Sequence, residues 1–224
     1  MTEKPIVSPQ EAVRRIAPGS SVMVGGFLAC GTAQALVDAL AEAGTKGLTL
    51  IATDTAFDDP KTRKRTGVAH LIASGQVERL FASHIGTNRE TQRRMNAGEL
   101  TVELVPQGTL AERIRAAGVG LGGILTPTGV GTEVAEGKQQ IEIEGRSYLL
   151  EQALRADVAL VRAHRADRAG NLVYSKTTRN FNPLMAMAAE LVLVEAREIV
   201  EVGALDPETV VTPGVFADML VIGG

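Results

Sequence analysis

Short apolar runs alternate along the chain with stretches in which apolar residues recur every three or four positions. The runs fall at 21–24, 48–52, 79–82, 102–105, 156–163 and 191–195, and they are rich in Val, Leu and Ile. Strands that are apolar on both faces belong between two layers of helix, as in a parallel sheet. The intervening stretches predict the helices. Ser8 is placed as an N-cap with Pro9 at the first helical position and Glu11 set to close a capping box, so a first helix is expected to run to about Ile16. Thr32 is placed to cap a second helix, in which Leu36, Val37 and Leu40 share one face and which Gly44 stops. Further helices are predicted over 68–74, from near Asn88, over 109–117 and over 182–189.

Two segments break the alternation. Residues 53–66 read as a polar loop, and residues 118–137 as a glycine-rich loop interrupted by Thr126-Pro127-Thr128. Long loops in compact domains are often functional. Residues 140–150 alternate around Glu144-Gly145 and predict a small β-hairpin. The expected fold class is α/β: a single domain over 1–224 with a mostly parallel open sheet flanked by helices, plus the hairpin. Ligands of such sheets bind at the carboxyl ends of the strands, where the pocket is therefore expected.

Charge narrows the partners. With 23 basic and 26 acidic side chains, no long run of one sign and 3% aromatic residues, the chain lacks the concentrated cations and stacking platforms of a nucleic-acid binder. The basic stretches Lys61-Thr62-Arg63-Lys64-Arg65 and Arg93-Arg94 read as solvated faces. Cys30 is the only cysteine, and the N-terminus lacks a basic, then apolar leader, so a cytoplasmic location is expected. Apolar stretches fall far short of the roughly 20 residues that cross a bilayer. His70, His84 and His164 have no second ligand at metal-binding spacing, so no metal site is expected.

Gly25-Gly26-Phe27 and Gly31 lie between a strand and a helix start. Glycines there let a backbone approach a ligand, and free helix amides favour a phosphate; a plain tight turn explains the same spacing equally well. The spacing fits neither a dinucleotide fingerprint nor a P-loop. Cys30, near that helix start, reads as a small buried thiol rather than a nucleophile, because no His or Asn partner is evident. Arg179, Asn180 and Asn182 either close over a site or cap a helix.

Five ordered segments resemble family I coenzyme A transferases: Val24-Gly25-Gly26-Phe27-Leu28-Ala29-Cys30-Gly31, Pro106-Gln107-Gly108-Thr109-Leu110-Ala111-Glu112-Arg113, Thr126-Pro127-Thr128-Gly129-Val130-Gly131-Thr132, Ala166-Asp167-Arg168-Ala169-Gly170-Asn171-Leu172, and Arg179-Asn180-Phe181-Asn182. The resemblance extends from the first helix to about Leu220. Asp54-Thr55-Ala56-Phe57 and Ser83-His84-Ile85-Gly86-Thr87-Asn88 look most like the acetate/acetoacetate branch, whose α and β subunits are separate chains. Two departures, Gly31-Thr32-Ala33 in place of Gly-x-Pro and Pro18-Gly19 in place of Asp-Gly, concern turn geometry.

The resemblance implies an α subunit that moves CoA between a short-chain or 3-oxoacyl-CoA and a free carboxylic acid of the acetate, acetoacetate or butyrate type. Family I enzymes use a glutamate of the β half, which passes through a mixed anhydride and a glutamyl-CoA thioester. No Glu-Asn-Gly occurs in this sequence, so that nucleophile is expected on a β-subunit partner, in a heterodimer or heterotetramer. The resemblance assigns Gln107 as an oxyanion donor and Gly25, Gly26, Phe27, Leu28, Ala29, Cys30 and Gly31 to coenzyme binding. It places Thr53, Asp54, His84 and Asn88 in the substrate pocket, with Asp54 facing a backbone amide or the partner chain. CoA enters as a substrate, with no permanently bound cofactor. Two alternatives stand beside this reading: a non-catalytic CoA-binding subunit, and a sugar-phosphate isomerase-like enzyme on a related scaffold.

Overall fold

A computed structural model of the protein describes residues 2–59 and 64–223. In chain order its elements are α1 (Pro9–Val13), β1 (Ser21–Val24), α2 (Gln34–Ala43), β2 (Leu48–Ala52), β3 (Asp58–Asp59), β4 (Lys64–Arg65), α3 (Ala69–Ala73), β5 (Val77–Ala82), α4 (Arg89–Asn96), β6 (Thr101–Leu104) and α5 (Gln107–Gly118). The second half adds β7 (Gly123–Thr126), β8 (Gln140–Ile143), β9 (Arg146–Gln152), β10 (Ala156–Asp167), β11 (Leu172–Val173), α6 (Asn182–Met187), β12 (Ala189–Val200) and β13 (Met219–Ile222).

The central sheet has the order β13-β12-β10-β1-β2-β5-β6, every neighbouring pair parallel, with β11 antiparallel beside β10. Successive residues of a strand point to opposite faces, and β1 shows the result. Val22 and Val24 join one buried cluster with Leu36, Leu40 and Leu71 of α2 and α3, while Met23 joins the other with Leu110, Ile114 and Met185 of α5 and α6. Both faces are thus covered, which is why the strands read as continuous apolar runs. The α/β expectation holds.

Several local expectations change. The first helix stops at Val13 because Arg15 and Ile16 donate to Ala12 and Val13, a tighter turn ahead of Pro18. Ala33, not Thr32, occupies the N-cap of α2, without a side-chain cap of its own. Within the glycine-rich stretch, β7 pairs antiparallel with β9, so the expected hairpin of β8 and β9 grows to a three-stranded sheet. Glu144 and Gly145 turn that hairpin with φ 50° and 74°, the left-handed pair that a two-residue turn demands. The expected polar loop contains the short ladder of β3 and β4; residues 60–63, including Lys61 to Arg63 of the basic stretch, lie outside the described residues. No helix is long and apolar enough to cross a membrane among the described residues.

Candidate active site

At the carboxyl edge of the sheet, the residues that follow four neighbouring strands converge on one cavity of about 380 Å³. Phe27 and Leu28 come after β1, Asp54 after β2, Ser83, His84 and Thr87 after β5, and Gln107 after β6. Parallel strands deliver their following loops to the same edge, so residues about 80 positions apart meet without any local sequence signal. Phe27 is 43% exposed and gives the cavity an open apolar rim.

Gln107 is the first residue of α5, preceded by Pro106 at the N-cap, and no side chain caps that helix. Its amide is exposed and makes no hydrogen bond among the described residues, which leaves donor and acceptor available to a ligand. Asp54, by contrast, is buried and fully engaged: Oδ2 accepts from the Leu28 N–H at 2.9 Å and Oδ1 from the Ala56 N–H at 2.7 Å. The carboxylate faces backbone amides, one of the two placements expected for it. His84 is exposed at the cavity, next to Gly86, where a Cβ would come within 2.7 Å of its ring.

Thr53 and Asn88 are placed elsewhere than expected. Thr53 is buried and donates through Oγ1 to the Gly26 carbonyl at 2.8 Å, tying the end of β2 to the glycine loop. Asn88 is fully buried; its Oδ1 caps α4 through the Thr91 N–H, and its amide donates to the Thr55 carbonyl. Both side chains are used by the scaffold and do not reach the cavity lining. Ser83 and Thr87 do reach it, and their signal was positional: they flank His84 in the loop just past a predicted strand.

The expected anion site at the start of α2 is already filled by the protein. Glu195 of β12 reaches across the sheet, and its Oε2 accepts from the Ala35 N–H at 2.7 Å and the Leu36 N–H at 3.3 Å. Burial pushes the Glu195 carboxyl above its ordinary value, against the opposing pull of the Leu36 amide and Arg162. The glycines of this loop are crowded by their own chain. A Cβ at Gly25 would lie 1.9 Å from Asn182 Oδ1, and one at Gly31 would lie 2.9 Å from the Thr178 carbonyl oxygen. Of the segment expected to bind coenzyme, Phe27 and Leu28 line the cavity, while Gly25, Gly26 and Ala29 line a small cleft beneath it. Cys30 is exposed rather than buried, because it ends the turn and faces Thr177 Oγ1 at 3.5 Å. Asn180 and Asn182 donate to the Cys30 and Gly31 carbonyls, so they fasten the loop to the turn at Lys176–Arg179.

The family model for coenzyme A transferase matches residues 6–223. The chain belongs to the coenzyme A transferase family. It is 54% identical over 217 residues to the acetate CoA-transferase subunit alpha of Escherichia coli K12, covering 97% of this chain and 96% of that one. It is 49% identical to the acetoacetyl-CoA:acetate/butyrate CoA transferase alpha subunit of Clostridium acetobutylicum, covering 91% of this chain and 90% of that one. Among solved structures, an acyl-CoA transferase of Escherichia coli O157:H7 in a thioester complex with CoA has the same fold, with a TM-score of 0.85 and 23% identity. The match covers 99% of this chain and 47% of that longer one, so this chain spans about half its length. Among the described residues of this transferase-family chain, no group of three or more His, Cys, Asp or Glu could hold a metal ion.

Proposed function

We propose that this chain is the α half of a heteromeric CoA-transferase that moves CoA between short-chain acyl or 3-oxoacyl thioesters and free carboxylic acids. Its role is to form one wall of the site and to supply the Gln107 amide, while a partner subunit brings the nucleophilic glutamate. The observation that carries this reading is the pairing, in one cavity, of a free Gln107 amide with a carboxylate already bound by two backbone amides. Asp54 is the carboxylate in that lining, and with both oxygens accepting hydrogen bonds it is poorly placed to attack a thioester. The relatives named as alpha subunits support a partner chain, and CoA is written here as substrate.

In the proposed sequence the partner's glutamate attacks the acyl-CoA carbonyl, and the CoA thiolate departs to leave a mixed anhydride. The thiolate then attacks the glutamyl carbonyl, releasing the first acid and forming the glutamyl-CoA thioester. The second carboxylate repeats the steps in reverse, which frees the glutamate. Each addition passes through a tetrahedral oxyanion, and preorganised donors stabilise such charge. The Gln107 Nε2–H₂ donates to it. The test is CoA transfer from acetoacetyl-CoA to acetate by the chain alone and by the chain co-purified with its partner. Activity in the pair only, lost with Gln107→Ala, is the expected result; activity of the chain alone overturns the split site.

A further inference from the structure

Three non-glycine residues with left-handed backbones gather around one carboxylate. Leu28, Ala29 and Ala56 have φ of 48°, 67° and 54°. Phe27 and Cys30 exchange N–H···O bonds of 3.0 and 2.8 Å, so Leu28 and Ala29 form a two-residue turn with both central residues left-handed. Turns of that kind select Asn and Gly, because side chains at positive φ crowd the backbone. Here the sequence offers Leu and Ala. Strained backbone persists only where its surroundings over-determine it. The surroundings at this point are Asp54, which is 6% exposed and takes the Leu28 N–H on one oxygen and the Ala56 N–H on the other. The two strained segments also close on each other: a Cβ at Gly67 would lie 3.2 Å from Ala56 Cβ and 3.3 Å from Ala29 Cβ.

The held segment is also the cavity wall. Phe27, Leu28 and Asp54 line the same space as Gln107. We propose that Asp54 is a positioning residue: its carboxylate clamps the Leu28-Ala29 turn and Ala56, and so fixes the wall against which the reacting carbonyl meets the Gln107 amide. The clamp also answers an electrostatic objection. A free carboxylate in this wall would repel an anionic acid, whereas the dipoles of two donated backbone amides offset part of the Asp54 charge. The proposal rests on the transferase reading of the cavity.

The test uses the chain co-purified with its partner. Asp54→Ala is expected to lower kcat roughly 100-fold, the scale of a misplaced reacting group, with a smaller change in KM. Asp54→Asn, with one oxygen for two amides, falls between that variant and the wild type. Adding Ala29→Gly and Ala56→Gly to Asp54→Ala is expected to restore kcat roughly tenfold, because glycine takes positive φ without the penalty. Neither alanine side chain lines the cavity, and Leu28 is kept. A KM rise with kcat intact and no recovery from the glycines overturns the clamp in favour of direct substrate contact. Amide hydrogen exchange gives a readout independent of activity: the Phe27 and Cys30 amides, which bond each other's carbonyls across the turn and not Asp54, are expected to exchange faster in Asp54→Ala and to slow again in the glycine variant. Unchanged exchange also overturns the clamp. A wild-type complex that moves no CoA would contradict the transferase reading, and the exchange rates would still decide the clamp.

Discussion

Two of the helices that start at the carboxyl edge of the sheet, α2 and α5, have their first turns treated in opposite ways. The amides of α2 are closed from inside by Glu195, a buried carboxylate that lies 160 positions from Ala35. The start of α5 has no side-chain cap, and its first residue, Gln107, opens onto the cavity. A helix N-terminus favours negative charge wherever one is within reach. At α2 that capacity is used to join the edge of the glycine loop to β12; at α5 the adjoining Gln107 amide side chain lines the cavity and makes no hydrogen bond among the described residues. A glycine-rich loop ahead of a helix is therefore not sufficient evidence of an anion site, because the protein can bring its own anion.

Glu195→Ala is expected to sharpen this contrast most, by destabilising the fold about 3 kcal/mol, since it leaves two helix amides without their buried acceptor. Urea unfolding checks it, as a lower midpoint with an unchanged slope. Gln107→Ala is expected to do the reverse, leaving the midpoint in place and lowering kcat on the order of 100- to 1000-fold. A variant at Gln107 that unfolds, or one at Glu195 that folds normally and is inactive, would break the distinction between the two helix starts. Ser8→Ala, at the exposed start of α1 where Ser8 Oγ accepts from the Glu11 N–H at 3.1 Å, is expected to cost about 1 kcal/mol and no activity.

The pH dependence gives a finer test of the closed end. Because burial raises the Glu195 carboxyl above its ordinary value, the folded chain holds that proton more tightly than the unfolded chain. As pH rises from the ordinary glutamate value through the raised one, the unfolded state carries fewer bound protons, so this group makes stability fall. Below the ordinary value its contribution is flat. Glu195→Gln keeps an oxygen for the helix amides and removes the titration, so the difference in stability between wild type and variant should change with pH in that window. A constant difference would contradict the burial argument.

What the sequence revealed follows from range. The apolar runs announced the parallel sheet because burial on both faces is a local property of each strand, and Ser8 announced α1 because a cap acts over three residues. The Glu195 cap was invisible, since nothing near Glu195 or Ala35 marks a contact made across the sheet. β7 was hidden by the glycines around it, and its partner β9 holds it in place through Leu125 and Leu150. β13, a short run after a turn-rich tail, completes the sheet edge beside β12. At the site, Asp54, His84 and Gln107 were legible as residues following strands, while Thr53 and Asn88 follow the same rule and point into the scaffold. The loop after a strand can be placed from sequence; the rotamer that decides between cavity and backbone depends on packing.

The central claim is that the covalent chemistry belongs to the partner and the cavity wall to this chain. Intact-mass analysis of the co-purified complex, quenched after mixing with acetoacetyl-CoA without an acceptor acid, tests it most directly. The account predicts that the partner chain gains CoA less one water while this chain keeps its mass; a CoA adduct on this chain would contradict it.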